Sequence, residues 1–192
     1  MEGLTTMRVK LTFIDEVLGT AANDPEIHET YIASKAPDAP SREEEIAAIG
    51  VEEVVEKGKT VFPRDENGNP VFFNYQIRGF FKSACAALRS LSYTKSSKVK
   101  AYKKKVDTQV FVFADANDPA NRMIPITVAG GMGDCQRPLR AQTMQGERVA
   151  LANSESIPAG SSCEFDVVLY DPKDVPIVEE WLNHGRFNGI GQ

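Results

Sequence analysis

The sequence predicts an α+β domain with the element order of a ferredoxin-like fold, interrupted by an acidic insertion and a lysine-rich loop. Three observations predict it. Segments that alternate apolar and polar residues, the period of half-buried strands, stand near both ends of the chain. Between them lies a helical face made by Ile77, Phe80, Phe81, Ala84, Leu88 and Leu91. A second, shorter helix follows the last strand and stops at Gly185.

The elements follow in order. Met7 to Ile14 alternates Val9, Leu11 and Phe13 against Arg8, Lys10 and Thr12, and reads as the first strand. Residues 21–58 read as an insertion: a polar stretch with Pro25, Pro37 and Pro40, then an acidic helix from Ser41, whose capping box is completed by Glu44. Lys57 to Pro70 is turn material, and the Asn67-Gly68 pair marks a tight reversal. The anchoring helix comes next. At about 100° per residue, Arg78, Lys82 and Arg89 fall together on the flank turned away from its apolar face. Residues 92–105 read as a basic loop carrying Tyr93, Lys95, Lys98, Lys100, Tyr102, Lys103, Lys104 and Lys105.

Val106 to Phe113 and Met123 to Val128 are strand candidates on either side of a loop at Asp115 to Asn121. The glycine cluster from Ala129 to Gly133 lacks the Gly-Lys-Ser/Thr of a phosphate-binding loop and reads as a turn. Arg137 to Glu155 is strand-like with a reversal at Gln145-Gly146, and Cys163 to Tyr170 has high β-propensity. Asp171 or Asp174 caps the final helix, which runs through Trp181 and Leu182.

The 192 residues fit a single domain, 1–192, enlarged by its insertion. No apolar run approaches the roughly 20 residues that span a bilayer, and no signal peptide is visible, so the expected compartment is cytoplasmic, away from membranes. Cys85, Cys135 and Cys163 are widely spaced and odd in number, the pattern of reduced structural thiols. The net charge of −5 hides an asymmetry. Acids dominate from Asn23 to Lys57, whereas between Gln76 and Lys105 every charged residue is a cation. One basic face on an acidic molecule points to an anionic partner.

Three stretches carry a family likeness: FPRDENGNPVFFNYQIRGFFKSACAAL, RAQTMQGERVALANSESIPAGSSCEFDVVLY and HGRFNGIGQ. In that order they resemble the RAMP (repeat-associated mysterious protein) superfamily. The closest likeness is to the backbone subunits that polymerise along the guide RNA of multi-subunit CRISPR effectors in antiviral defence. Arg64-Asp65, Gly68, Pro70, Gly79 and Lys82 stand in the places of the family pattern, while Asn74-Tyr75-Gln76 replaces its usual Pro-Gly-Ser entry. Family members continue past the glycine loop into a final strand, whereas this sequence stops at Gln192. Members that cut RNA carry an acid just before the Arg-Asp pair, where this chain has Lys57, Gly58, Lys59 and Thr60.

The resemblance implies an RRM-like, ferredoxin-like RAMP domain that binds single-stranded RNA, without a cofactor, alongside other RAMP-like subunits or copies of itself. It places Arg78, Lys82 and Arg89 at an RNA-facing helix, and Gly185, Arg186, Asn188, Gly189 and Gly191 in a phosphate-approaching glycine loop. The lysine connector supplies further cations, with Tyr93 and Tyr102 as stacking groups. Two rival readings stand beside RNA binding: a mimic or inhibitor of a CRISPR subunit acting through protein contact, and a metal-independent endoribonuclease using His28, Tyr31 and Lys35. The last three sit in the insertion, where nothing fixes their geometry, so no catalytic residue is assigned. With His184 as the only other histidine, no metal-ligand spacing exists either.

Overall fold

The computed structural model describes residues 4–22, 59–143 and 146–190. The acidic helix of the insertion and the group His28, Tyr31 and Lys35 lie outside the described residues. Ten strands and three α-helices follow in the described chain: β1 (Thr5–Thr12), β2 (Val17–Leu18), β3 (Ala21–Ala22), β4 (Thr60–Val61), β5 (Val71–Phe73), α1 (Asn74–Leu88), α2 (Tyr102–Gln109), β6 (Val110–Phe113), β7 (Met123–Thr127), β8 (Gly133–Thr143), β9 (Gly146–Ile157), β10 (Ser162–Leu169) and α3 (Val175–His184). The class is α+β with two five-stranded sheets.

In the first sheet β10 is central. It runs antiparallel to β1 along its whole length, from Thr5 opposite Leu169 to Thr12 opposite Ser162. Its other edge pairs with β6 through residues 166–169 and with β7 through Ser162 and Cys163; β5 closes the sheet against β7. Alternation sends Val9, Phe165, Val167, Val110 and Val112 to one face, where all are buried. That face packs on α1 and α3. Ile77, Phe80, Phe81, Ala84 and Cys85 of α1 meet Val178 and Trp181 of α3 in one apolar cluster, and the Phe81 and Trp181 rings lie 5.6 Å apart. Gln76 closes the start of α1, its Oε1 accepting the Phe73 N–H at 2.8 Å.

The second sheet is built on the long β8–β9 hairpin, flanked by the short strands β2, β3 and β4. Glu155 joins the pieces: its side chain accepts the Phe62 N–H at 2.9 Å and pairs with Arg64, while its backbone carbonyl accepts the Gly19 N–H at 2.8 Å. Glycine is required at position 19, since a Cβ there would stand 2.4 Å from the Val61 carbonyl carbon. The Asn67-Gly68 reversal forms as predicted, with Gly68 at φ +81°. Asp65 organises it, accepting from the backbone N–H groups of Asn67 and Asn69 and from the Asn69 side chain. The Asn69 side chain first, then these amides, hold the Asp65 carboxyl below its ordinary range. The Arg64-Asp65 pair therefore serves the turn and its strap to β9.

Three expectations need correction. Leu91 does not extend the apolar face of α1: the helix ends at Leu88, and Leu91 lies in the following turn, 39% exposed. Residues 92–105 are not a plain loop, because Ser96–Lys98 make a 3-10 turn and α2 begins at Tyr102. Val106 is helical and fully buried, so the strand read as starting there starts at Val110.

Candidate nucleic-acid interface

The lysine segment is pinned to the core at Ser96. Glu180 of α3 accepts the Lys95 N–H at 2.8 Å, the Ser96 N–H at 2.9 Å and the Ser96 hydroxyl. The buried Trp181 Nε1 donates to the same Ser96 Oγ at 3.0 Å. Burial pushes the Glu180 carboxyl up, but the hydrogen bonds from Ser96 and the Lys95 N–H, with the Lys95 charge, outweigh it and leave its pKa below the ordinary value.

From this anchor the chain reaches Ala101, whose φ of +47° and ψ of +45° lie in the left-handed region, and turns sharply into α2. The turn sets Lys98, Lys100, Lys104 and Lys105 around a cleft of about 450 Å³, with Thr108, Gln109 and Ile177 completing its walls. Lys105 is neutralised by Asp174 at 2.7 Å. Among the described residues Lys98, Lys100 and Lys104 make no ion pair, and all three are exposed. Three unneutralised ammonium groups about one concavity make a field that attracts anions.

The cationic flank of α1 has a different fate. Lys82 pairs with Asp107 of α2 at 2.6 Å, and the Arg89 guanidinium lies 5.1 Å over the Tyr102 ring. Arg78 is half-buried with its Nε unpartnered. Of the expected open row of Arg78, Lys82 and Arg89, the last two thus form part of the seam on which α2 sits. Tyr102 is correspondingly half-buried under Arg89, whereas Tyr93 stands 84% exposed. Lys95 reaches back to the Pro176 carbonyl at 3.4 Å, and Lys103 is exposed on α2.

Arg186 and Asn188 are exposed in the turn after α3, with Asn188 N–H bonded to the His184 carbonyl at 3.3 Å. Gly191 lies outside the described residues. Gly185, Arg186, Phe187 and Gly189 line a second cavity, of about 310 Å³, together with the end of β1 and the residues after it. Asp15 and Glu16 line it too, so Arg186 shares that cavity with two acids and a phosphate would meet repulsion there. Among the described residues no acid lines the lysine cleft.

Reading the sequence missed an aromatic cluster on the first sheet. Phe111 and Phe113 stand with parallel rings, 6.5 Å between centroids and 11° between planes, and the Tyr170 ring is perpendicular to that of Phe111 with centroids 5.3 Å apart. Among the described residues no group of His, Cys, Asp and Glu is placed to hold a metal ion, and no helix is long and apolar enough to cross a membrane. Cys85, Cys135 and Cys163 are free; burial raises the thiol pKa of Cys85 and takes that of Cys163 up to about 12. No protein-family model matches the chain, and no curated protein matches it either.

Proposed function

We propose that the protein is a non-catalytic RNA-binding subunit of the RAMP type, working in the cytoplasm and gripping single-stranded RNA alongside other RAMP-like chains or copies of itself. The observation that carries this reading is the cleft of Lys98, Lys100 and Lys104, three cations without an ion-pair partner among the described residues, gathered by a left-handed residue on an otherwise acidic molecule. A flexible phosphate backbone can bring successive charges to such a cleft, which a compact anion cannot. The strand order β1, β10, β6, with α1 and α3 on one face, supports the ferredoxin-like form of the α+β fold. Lys59 near the approach to Arg64-Asp65, ion-paired with Asp134 at 2.7 Å, supports holding RNA over cutting it.

Fluorescence anisotropy of a labelled oligouridine, titrated from low to physiological salt, tests the proposal. Affinity should fall steeply with salt, and the triple variant Lys98→Ala, Lys100→Ala, Lys104→Ala should flatten the log–log slope by about 2, at roughly 0.7 per lost phosphate contact. Absence of binding at low salt, or an unchanged slope in the triple variant, sinks it.

A further inference from the structure

The face of the first sheet turned away from α1 and α3 has an unusual make-up. Val110 and Val112 point into the core, so Phe111 and Phe113 project from the opposite face. Register places Phe111 beside Val168 and Phe113 beside Asp166, with Thr6 and Arg8 one strand further on. Val168 is buried, Phe111 and Phe113 are half-buried, and Tyr170 is 55% exposed. The apolar surface offered here is therefore ring surface, with the aliphatic Val168 buried.

Beside the rings lies a fixed planar cation. The Arg8 guanidinium donates to the Ala114 carbonyl at 3.0 Å, to Asp166 at 3.2 Å and to Glu164 at 3.5 Å, and Asp166 also accepts the Ala116 N–H at 2.8 Å. Lys10 pairs with Glu164 at 3.4 Å. Arg8 and Lys10 against Glu164 and Asp166 leave this face without net charge. It has little to hold a phosphate and much to hold a neutral, flat group.

The backbone connects this face to the lysine cleft at Gln109. Gln109 lines the cleft, its carbonyl accepts the Tyr170 N–H at 3.3 Å, and Phe111 follows two residues later. We infer that Phe111, Phe113 and Tyr170 form a platform on which unpaired bases of a single-stranded RNA stack, while the phosphates of the same strand lie in the lysine cleft. The inference rests on the RNA reading above and divides its labour: charge from α2 and the turn before it, flat contact from β6 and Tyr170. Base stacking on rings needs no particular base, so the platform favours single strands over duplex without choosing a sequence.

The test uses the full chain with two probes, an oligouridine and inorganic polyphosphate, which has the charge and lacks the bases. The variant Phe111→Leu, Phe113→Leu, Tyr170→Leu keeps apolar bulk and removes the rings; emission of the buried Trp181 reports whether the fold is retained. Oligouridine affinity is expected to drop about tenfold or more, with the salt slope and the polyphosphate affinity unchanged. Ultraviolet crosslinking of the parent should place uridine adducts on β6 or Tyr170. Unchanged oligouridine affinity in the leucine variant, or an equal loss for both probes, overturns the platform and leaves the lysine cleft standing. Failure of the parent to bind either probe removes the RNA reading itself.

Discussion

Glu180 concentrates more of the architecture than any neighbouring residue. It is a carboxylate on α3 that satisfies two backbone N–H groups and a hydroxyl of the segment 95–96, which has no regular ladder to satisfy them. Replacing Glu180 by Gln turns one acceptor oxygen into a donor facing donors. The variant should lose about 1 to 3 kcal/mol in a chemical denaturation curve. The pH dependence follows from a folded pKa held below the ordinary value of 4.5. The stabilisation from this carboxylate is complete above the ordinary value and is lost as pH falls through the lower, folded one. Thermal melts of the parent should therefore weaken below about pH 4.5, and Glu180→Gln should show a shallower acid slope. Equal slopes would show that other carboxylates control acid unfolding.

At the scale of elements, α2 is where sequence and structure part. Its sequence, YKKKVDTQ, has a single buried residue, Val106, and no apolar period from which a helix could be read. It is helical because tertiary partners hold it: Asp107 on Lys82, Tyr102 under Arg89, and Lys105 on Asp174. None of these pairs is visible in sequence, since each joins α2 to a distant part of the chain. The strands were legible for the opposite reason, because alternation is local and survives in MRVKLTFI and CEFDVVLY. β6 falls between the two: VFVF is apolar at every position, so the strand is legible but the outward face that carries Phe111 and Phe113 is not. Of the candidate site, the lysines were legible as charges, but the cleft that unites four of them depends on the left-handed Ala101. Val106→Ala should cost about 2 kcal/mol in urea denaturation, two buried methyl groups and the cavity they leave. It should also speed amide exchange across Tyr102–Gln109; a surface loop would register neither change.

For the molecule as a whole, an excess of acid coexists with a local excess of base. The short strands of the second sheet gather around Gly19 and Glu155, and among the described residues α1 and α3 cover one face of the first sheet. The lysine cleft is thus a region of like charge built into a framework fixed elsewhere. In the free protein Lys98, Lys100 and Lys104 repel one another, and folding holds them together against that repulsion. Lys100→Gln should therefore raise the melting temperature by about 1 °C at low ionic strength, with the gain vanishing at high salt. A melting temperature that falls on this substitution would mean that Lys100 is held by an attraction instead. The left-handed turn at Ala101 consequently holds like charges close, so that a polyanion bound in the cleft would relieve their repulsion and stabilise the fold that holds it.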